Sequence, residues 1–318
     1  MGEKVSVAIC TWNGERWIAE QLRSIISQTR EVDEIVLIDD GSSDQTLQIA
    51  KALLSESGLP HWVFQNTANV GSSKNFQLAA EKCTGDVLLF SDQDDSWKPN
   101  KVERILEVLQ ENPDAQWAFS DLELCDGSLN SIGKTMWQKV GFGSTRLSQF
   151  MRGEQLEVIL KRPIVTGAGL ALRQSCLKEC TPFQTPWIHD HWISLVLSGK
   201  GHKGIAISEC LVKYRLHQSQ QVGARQAALS AQITRSVQTG PAGYLEECDA
   251  LRKLHPYLCE KENGWGLVSK KIEHFQARAE LRRRPRIQRV ATIARELSNG
   301  NYRFSWSWLA PLNDLIRA

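Results

Sequence analysis

The first hundred residues alternate between short apolar runs and amphipathic segments, and this alternation restricts the chain to a small set of folds. Between the first two runs, apolar side chains recur at helical spacing from Ile18 to Ile26. Repeated strand–helix units of this length favour an α/β fold with a parallel sheet covered by helices on both faces. The predicted strands are Val5–Cys10, Ile35–Ile38, Trp62–Phe64 and Val87–Phe90.

The residues that follow these strands point to a binding site. In a parallel sheet of this kind, ligands bind beyond the carboxyl ends of the strands. Small, polar or acidic residues follow all four strands, whereas a single loop of this composition would be ordinary turn chemistry. The four loops are Thr11–Gly14, Asp39–Asp44, Asn66–Gly71 and Ser91–Asp95.

The last of these loops places three carboxylates within four residues, Asp92, Asp94 and Asp95, directly after a buried strand. Clustered like charges repel each other, and a bound cation relieves that repulsion. Hard oxygen ligands suit Mg²⁺ or Mn²⁺ shared with a phosphate. The alternative is a solvated turn before the helix predicted to begin near Asn100. We favour the metal–nucleotide site because the other three loops lie at the same edge.

The composition is that of an ordinary globular protein. Of 318 residues, 42% are hydrophobic and 23% are charged, which suits one large domain or a domain with an extension. No stretch approaches the ~18–20 apolar residues of a membrane-spanning helix. No apolar signal-peptide core follows Met1, so we expect a cytoplasmic protein.

Charge is distributed unevenly along the chain. The net charge is +2, but residues 225–318 contain 16 Lys/Arg against 9 Asp/Glu, which leaves residues 1–224 at −5. The end of this basic region also carries aromatic residues, from Tyr302 to Trp308. The pattern predicts a helical extension that associates with the anionic inner surface of the cell membrane. The alternative is that the tryptophans pack on the first domain while the arginines stay solvated.

The eight cysteines indicate reduced, structural thiols. None forms a C-x-x-C pair, and Cys176 and Cys180 have no matching His or Cys pair nearby in the sequence. The segment His189-Asp190-His191 could suggest zinc, but no third ligand follows at a fixed spacing, so we do not expect zinc there.

Six motifs, in chain order, resemble those of family 2 glycosyltransferases with the GT-A fold, over about residues 4–224. Three are similar to motifs of the family at large: Val5–Gly14, Ile38–Asp44 and Asn69–Phe76. Three are similar to the metal motif, the base and a late histidine of the bacterial rhamnosyltransferase-like branch: Ser91–Trp97, His189–Trp192 and Tyr214–His217. Trp12 stands where the family commonly has tyrosine, which keeps an aromatic wall.

The resemblance implies a nucleotide-binding set at the strand ends. It places Asp39 or Asp40 against the base and ribose, and Lys74 near the phosphates. A carboxylate suits the imide N–H of uracil or thymine because it can only accept hydrogen bonds. The implied set is Thr11, Asn13, Glu15, Asp39, Asp40, Lys74 and Asp92.

The resemblance also implies roles for the metal, the base and the acceptor. Asp94 and His217 would bind Mg²⁺ or Mn²⁺, and Asp190 would be the general base. A base and a leaving group on opposite faces of the sugar lead to inversion. Gly167, Trp187 and His191 would contact the acceptor. Each of these three also has a plainer explanation, since Gly167 could form a tight turn, Trp187 could pack in the core and His191 could be a packing residue.

The expected protein is therefore an α/β enzyme with a GT-A (Rossmann-like), mostly parallel sheet in residues 1–224 and a helical, basic extension in residues 225–318. Its expected activity is metal-dependent, inverting transfer of a sugar, with rhamnose a candidate, from a dTDP- or UDP-linked donor. The acceptor would be lipid-linked or a polysaccharide of the cell envelope such as O-antigen, and no nucleic-acid partner is expected. Two alternatives are a nucleotidyltransferase and a non-catalytic glycan-binding or scaffold protein. Thr11–Arg16 lacks the glycine- and basic-rich phosphate loop of the former, and the presence of Asp94 and Asp190 disfavours the latter.

Overall fold

The computed structural model describes residues 2–217, 241–258, 264–281, 284–305, 307 and 309–316. The chain forms two compact units. The first comprises Met1–Gln155, Ile164–Ser198 and His202–Leu216, and the second Leu156–Pro163, Gly199–Gly201 and His217–Ala318. The domain boundary predicted between residues 224 and 225 lies outside the described residues and stays a prediction.

The first unit is built on one sheet of nine strands. The strands are β1 Val5–Thr11, β2 Glu34–Asp39, β3 His61–Gln65, β4 Val87–Ser91, β5 Ser96–Trp97, β6 Ala115–Cys125, β7 Ser131–Thr135, β8 Leu170–Arg173 and β9 Lys203–Arg215. The helices up to β9 are α1 Ile18–Ile26, α2 Thr46–Ser57, α3 Ser72–Lys82, α4 Lys101–Glu111, α5 Met136–Val140, α6 Ser144–Met151, α7 Gln155–Lys161, α8 Leu177–Cys180 and α9 His189–Gly199.

The strand order is β3-β2-β1-β4-β8-β6-β9-β5, with β7 paired to β6. The first four strands of this order are parallel, and β8 is antiparallel to both of its neighbours, β4 and β6. Because β9 is parallel to β6, six strands point in one direction, and the sheet is mostly parallel as the sequence predicts. Strands β1, β2 and β4 are buried along their whole length, as expected for a sheet covered on both faces.

Two elements differ from the sequence-based expectation. The sequence of residues 147–161 on its own predicts one helix, but the chain forms two, α6 and α7, because Gly153 takes a φ of 98° that no helix can contain. The apolar runs at 205–207 and 211–214 on their own predict two short strands, but both are parts of one strand, β9. Irregularities in its register against β6 account for the break in the apolar pattern.

The second unit is helical, as predicted for the extension. Its later helices are α10 Pro241–Arg252, α11 Gly264–Leu281, α12 Arg286–Ser298 and α13 Ala310–Ile316. Within it, Arg278 makes a two-pronged contact with Asp314 at 2.7 and 2.9 Å, and His274 bonds Glu296 at 2.9 Å. These buried polar pairs tie α11 to α13 and α12. No helix in the described part of the chain is both long and apolar enough to cross a membrane.

Candidate active site

Strands β1, β2 and β3 end in register, which brings Thr11, Asp39 and Gln65 side by side. The Asp39 carboxylate is buried and accepts hydrogen bonds from Thr11 Oγ1 at 2.8 Å and Gln65 Nε2 at 3.3 Å. It also accepts from the backbone N–H and the hydroxyl of Ser42, at 2.8 and 2.5 Å. Asp39 therefore connects the ends of β1 and β3 to the loop after β2, and its predicted contact with the nucleotide stays a prediction.

Asp40 fixes the entry to α3. Its buried carboxylate accepts from the backbone N–H groups of Val70 and Gly71 at 2.9 and 3.0 Å, and from Asn66 Nδ2 at 2.8 Å. Lys74 then lies exposed in the first turn of that helix. The second and third motifs are thus joined through one carboxylate.

Asn13 and Glu15 join the loop after β1 to the loop after β2. Asn13 Oδ1 accepts from Ser43 N at 2.9 Å, and Glu15 Oε2 accepts from Gln45 N at 2.9 Å. Asp44 accepts from Thr46 N at 3.0 Å, while the residue that caps α2 is Gln45. The sequence alone suggests Asp44 as a turn and cap residue; it lies in the turn, one position before the observed cap.

The three aspartates after β4 repel one another. Burial, reinforced by the charges of Asp94 and Asp190, raises the pKa of Asp92 to about 7. Burial also raises the pKa of Asp95, with Asp94 and Asp92 adding to the shift. Asp95 Oδ1 accepts from Arg215 N at 3.0 Å, whereas its buried Oδ2 has no hydrogen-bond partner among the described residues. A concentration of negative charge with an unsatisfied oxygen is the environment that a divalent cation stabilises.

Lys101 is buried near this cluster and was missed by sequence reasoning. Its side chain is fully buried, Nζ donates to Ala168 O at 2.7 Å, and it lies 3.4 Å from the centre of the Trp97 ring. Burial lowers the pKa of Lys101, although Asp95 and Asp92 oppose that shift. The available signal was a lysine in register with the apolar positions Ile105 and Leu109 of α4.

Arg215 holds the backbone of the acidic loop and was also missed. It is 1% exposed, and its Nε donates to the carbonyl oxygen of Asp94 at 2.7 Å. The rest of the guanidinium donates to Gly127 O at 2.7 Å and Glu20 Oε2 at 2.6 Å, and it stacks on Trp17. The late motif therefore contributes a buried arginine to the acidic loop.

His217 lies two residues beyond the end of β9 and is half-buried. Its role as a metal ligand stays a prediction.

Gln93 joins the acidic loop to the loop after β1. Its side chain accepts from Trp12 N at 2.8 Å and donates to Trp12 O at 3.0 Å. A Cβ added to Gly14 would lie 2.2 Å from Gln93 Oε1, so glycine is required there for this contact. The side chains that follow β1 and β4 are thereby held in one place.

Asp190 lies in the first turn of α9 and meets the turn before β8. Its two oxygens accept from Gly167 N at 2.7 Å and His191 N at 2.6 Å. Burial raises the pKa of Asp190 to about 6, and its charge in turn raises that of Asp92. The predicted base and the predicted metal-binding loop therefore share one electrostatic environment.

His189, which sequence reasoning considered only for zinc, is a buried neutral ring. It lies between Phe76 and Phe90, with ring centres 4.0 and 5.3 Å away, and burial lowers its pKa to about 3. A Cβ on Gly167 would lie 2.4 Å from His189 Nε2. Gly167 thus serves as a hydrogen-bond donor and a close contact, and its proposed contact with an acceptor stays a prediction.

Trp187 and His191 lie close to Asp190 in the sequence and contact each other. Both are half-buried, and their rings meet edge to face at 4.9 Å. The buried Nε1 of Trp187 has no hydrogen-bond partner among the described residues.

Comparison with known sequences gives a consistent result. A family model described as Glycosyl transferase family 2 matches residues 6–181, which is more than half of the chain. An uncharacterized glycosyltransferase of Nostoc sp. is 31% identical over 180 residues, covering 56% of this chain and 53% of its own length. A putative glycosyltransferase of Bacillus subtilis, EpsE, is 33% identical over 111 residues, covering 35% of this chain and 40% of its own length. The chain spans about half the length of the curated relatives it matches.

Two solved structures share the fold at low sequence identity. Staphylococcus aureus TarS 1–349 in complex with UDP-GlcNAc has a TM-score of 0.59 and 18% identity, over 87% of this chain and 72% of its own. The mannosyltransferase PcManGT of Pyrobaculum calidifontis, in complex with GDP-Man and Mn²⁺, has a TM-score of 0.54 and 16% identity, over 94% and 76%. The matched family covers β1 to β8 and the acidic loop, and the predicted enzyme class is confirmed: this chain is a glycosyltransferase of family 2.

Proposed function

We propose that the protein is an inverting, divalent-metal-dependent glycosyltransferase that transfers a sugar to a hydroxyl group of a bacterial surface glycan. The observation that carries this proposal is that Gly167, in the turn before β8, holds Asp190 by a hydrogen bond, and β8 pairs with β4, the strand that leads into the acidic loop. A base on one side of the donor sugar and an acidic, metal-binding loop on the other are the two groups that this reaction requires.

The donor is a nucleoside-diphosphate sugar. Asp39, Asp40 and Asn13 order the loops that would surround the base and ribose, and exposed Lys74 would meet the phosphates. The resemblance to the rhamnosyltransferase-like branch favours dTDP-rhamnose, with a UDP-sugar as the other candidate. The TarS structure contains UDP-GlcNAc and the PcManGT structure GDP-Man, so donors of this chemical class suit the fold.

Three features of the acidic loop support a divalent metal ion there. Asp95 has an unsatisfied buried oxygen, the donor atoms are hard carboxylate oxygens, and burial raises the pKa of Asp92 to about 7. Asp94 would hold Mg²⁺ or Mn²⁺ together with His217. When bound, the ion would neutralise the charge that develops on the departing diphosphate. Arg215 holds the Asp94 carbonyl and so sets the direction of that carboxylate.

Asp190 accepts the proton of the attacking hydroxyl. With a pKa of about 6 it is mostly ionised at neutral pH, yet it is more basic than an ordinary aspartate. The N–H groups of Gly167 and His191 fix its orientation without protonating it. Trp187 and His191 would contact the acceptor beside this base, and attack from that side inverts the anomeric carbon.

We assign residues 1–224 to catalysis and residues 225–318 to attachment at the inner face of the cell membrane, where a lipid-linked or polysaccharide acceptor is extended. Apolar side chains on α12 and α13 remain open to solvent. They are Ile287, Val290, Leu297, Leu312 and Ile316, at 81, 53, 50, 50 and 64% exposure.

The first three recur on one side of α12, and α12 packs against α13. Residues 278–318 hold 9 Lys/Arg against 3 Asp/Glu. Apolar side chains beside cations suit an anionic lipid surface, where each well-placed cation contributes about 1 kcal/mol.

The test is a screen of purified protein against dTDP- and UDP-sugars, with Mg²⁺ or Mn²⁺, in which the nucleotide product and the sugar acceptor are both analysed. We expect release of a nucleoside diphosphate from one donor and transfer of its sugar with inverted configuration. Release of pyrophosphate would identify a nucleotidyltransferase, and donor binding without turnover under any condition would favour a non-catalytic protein.

A further inference from the structure

A second group of potential metal ligands lies outside the acidic loop. It consists of Cys176, Glu179 and His202, and one ligand atom from each lies within 4.8 Å of the others. Cys176 ends a short 3-10 turn, Glu179 follows one helical turn later in α8, and His202 comes directly before β9. The sequence gives no hint of the group because the histidine lies 26 residues beyond the cysteine.

The geometry is close to that of a zinc site. His202 Nε2 and Glu179 Oε1 are 3.0 Å apart. Zinc bonds of about 2.0–2.3 Å in a tetrahedral arrangement place ligand atoms about 3.3–3.6 Å apart. The three ligand atoms therefore need to move by only about an ångström to bind one ion.

The surroundings favour binding. Cys176 is buried, whereas the side chains of Glu179 and His202 are 33 and 28% exposed, so an ion can enter from solvent. The backbone of His202 is fixed at both polar atoms, since its N–H donates to Leu197 O at 2.9 Å and its carbonyl accepts from Trp117 Nε1 at 3.3 Å. A thiolate, an imidazole and a carboxylate form a ligand set for zinc rather than for Mg²⁺.

Gln116 provides an outer contact. Its Oε1 accepts from Cys176 Sγ at 3.4 Å. Since the two ends of an amide side chain differ only by a flip, the amide can instead donate to the sulfur once the thiol is ionised.

The group lies at the opposite edge of the sheet from the acidic loop. Arg173 at the end of β8 pairs with Val87 at the start of β4, so the turn that contains Cys176 emerges at the amino ends of the parallel strands. Lys203 pairs with Ala115 at the start of β6, which places His202 at that same edge. An ion at this position therefore does not contact the donor.

We propose that Cys176, Glu179 and His202 form a zinc site, with solvent as the fourth ligand, that fastens together the two ends of the segment carrying Asp190. Cys176 precedes α9 in the chain and His202 follows it. One ion bound to both therefore links the two ends of the segment that contains α9 and the proposed base. Closing that loop stabilises the segment because binding requires the folded arrangement of its ends.

The experiment is a titration of the metal-free full chain with Co²⁺, followed by displacement with Zn²⁺. We expect a sulfur-to-cobalt charge-transfer band that saturates at one equivalent. Cys176→Ser should abolish the band, and His202→Asn and Glu179→Gln should weaken zinc binding about 10- to 100-fold. Cys210→Ser, which removes a half-buried thiol of β9 outside the group, is the matched control and should bind as the wild type does.

Thermal unfolding gives a second readout that does not depend on activity. Zinc should raise the midpoint of the wild type and of Asp94→Ala but not that of His202→Asn. Absence of the cobalt band in the wild type, or equal zinc affinity in the wild type and both His202→Asn and Glu179→Gln, would overturn the site. Retention of zinc by Asp94→Ala separates this site from the proposed catalytic metal.

Discussion

The backbone N–H of Gly167 donates to the carboxylate of Asp190 at 2.7 Å, and the same glycine has no room for a side chain because His189 Nε2 lies against it. The turn before β8 thus holds the proposed base by a donor that cannot be removed without moving the backbone. His189, neutral and packed between two phenylalanines, forms the wall behind that turn. The position of the base is consequently set by packing as well as by hydrogen bonding.

Asp190→Asn should abolish transfer and leave donor binding intact, because an amide cannot accept the proton of the acceptor hydroxyl. We expect kcat to fall by about 10²–10⁴, measured as product formation alongside donor affinity by calorimetry. Asp114→Asn, at an exposed carboxylate distant in the fold, serves as the control. A collapse of donor affinity with nearly normal transfer would make Asp190 a binding residue.

Asp94→Ala should remove metal-dependent turnover while the protein stays folded. The substitution leaves in place the backbone carbonyl of residue 94, through which Arg215 holds the acidic loop. We expect activity to fall by orders of magnitude, with an unchanged circular dichroism spectrum. Activity of the wild type should also vanish in chelator and return with Mn²⁺ or Mg²⁺. Full activity of the variant in chelator would contradict the assignment.

Gly167→Ala should destabilise the protein by about 1–3 kcal/mol because the new methyl group collides with a buried ring. The matched control is Gly143→Ala, since nothing lies within 4 Å of a Cβ built there and its φ is −86°. Urea unfolding measures both. If the clash with His189 is the cause, Gly167→Ala should cost less free energy of unfolding in a chain that also carries His189→Ala. An equal cost in both backgrounds would show that the clash is not the cause.

The rate of transfer should fall as the pH is lowered through about 6, because burial raises the pKa of Asp190 to that value and the protonated acid is no base. The free energy of unfolding should change in the opposite direction to the rate. The pKa of Asp190 is higher in the folded protein than in the unfolded chain, so protonation favours the folded state. The contribution of Asp190 to stability therefore increases as the pH falls from about 6 towards the ordinary aspartate value of about 4. A pH–rate profile paired with unfolding curves tests this, and loss of rate that tracks unfolding would exclude the explanation.

Ile287→Ser combined with Leu297→Ser should reduce binding to anionic vesicles at low salt, because both side chains are exposed on α12. Co-sedimentation measures the bound fraction, which should also fall as salt is added. Ile132→Ser changes an apolar side chain of 46% exposure on β7 and should have no effect. Equal binding by all three proteins, or none by the wild type, would leave α12 and α13 as structural elements only.

The sequence predicted the loops at the carboxyl ends of the strands better than the buried residues that support them. Strands β1 to β4 carry their own signals, and each ends in a polar loop, so local pattern located Asp39, Asp40 and Asp94. Sheet topology then placed these loops together without further information.

The residues that sequence reasoning missed are those whose partners are distant in the chain. Arg215 bonds Glu20 across 195 positions, and Lys101 bonds Ala168 across 67. A buried cation is identified by its surroundings rather than by its neighbours in sequence. The same limit applies to His202, which only the folded sheet brings to Cys176.

Arg215 is the last residue of β9, and β9 lies between β6 and β5 within the sheet. Arg215 donates hydrogen bonds to the Asp94 carbonyl and the Asp95 carboxylate of the acidic loop. That loop is synthesised more than a hundred residues before Arg215. During synthesis, the amino-terminal strands and helices can therefore assemble while this loop still lacks its anchor. We therefore expect the acidic loop to become ordered only once β9 has left the ribosome and entered the sheet, whereas strands β1 to β4 can pair before that point.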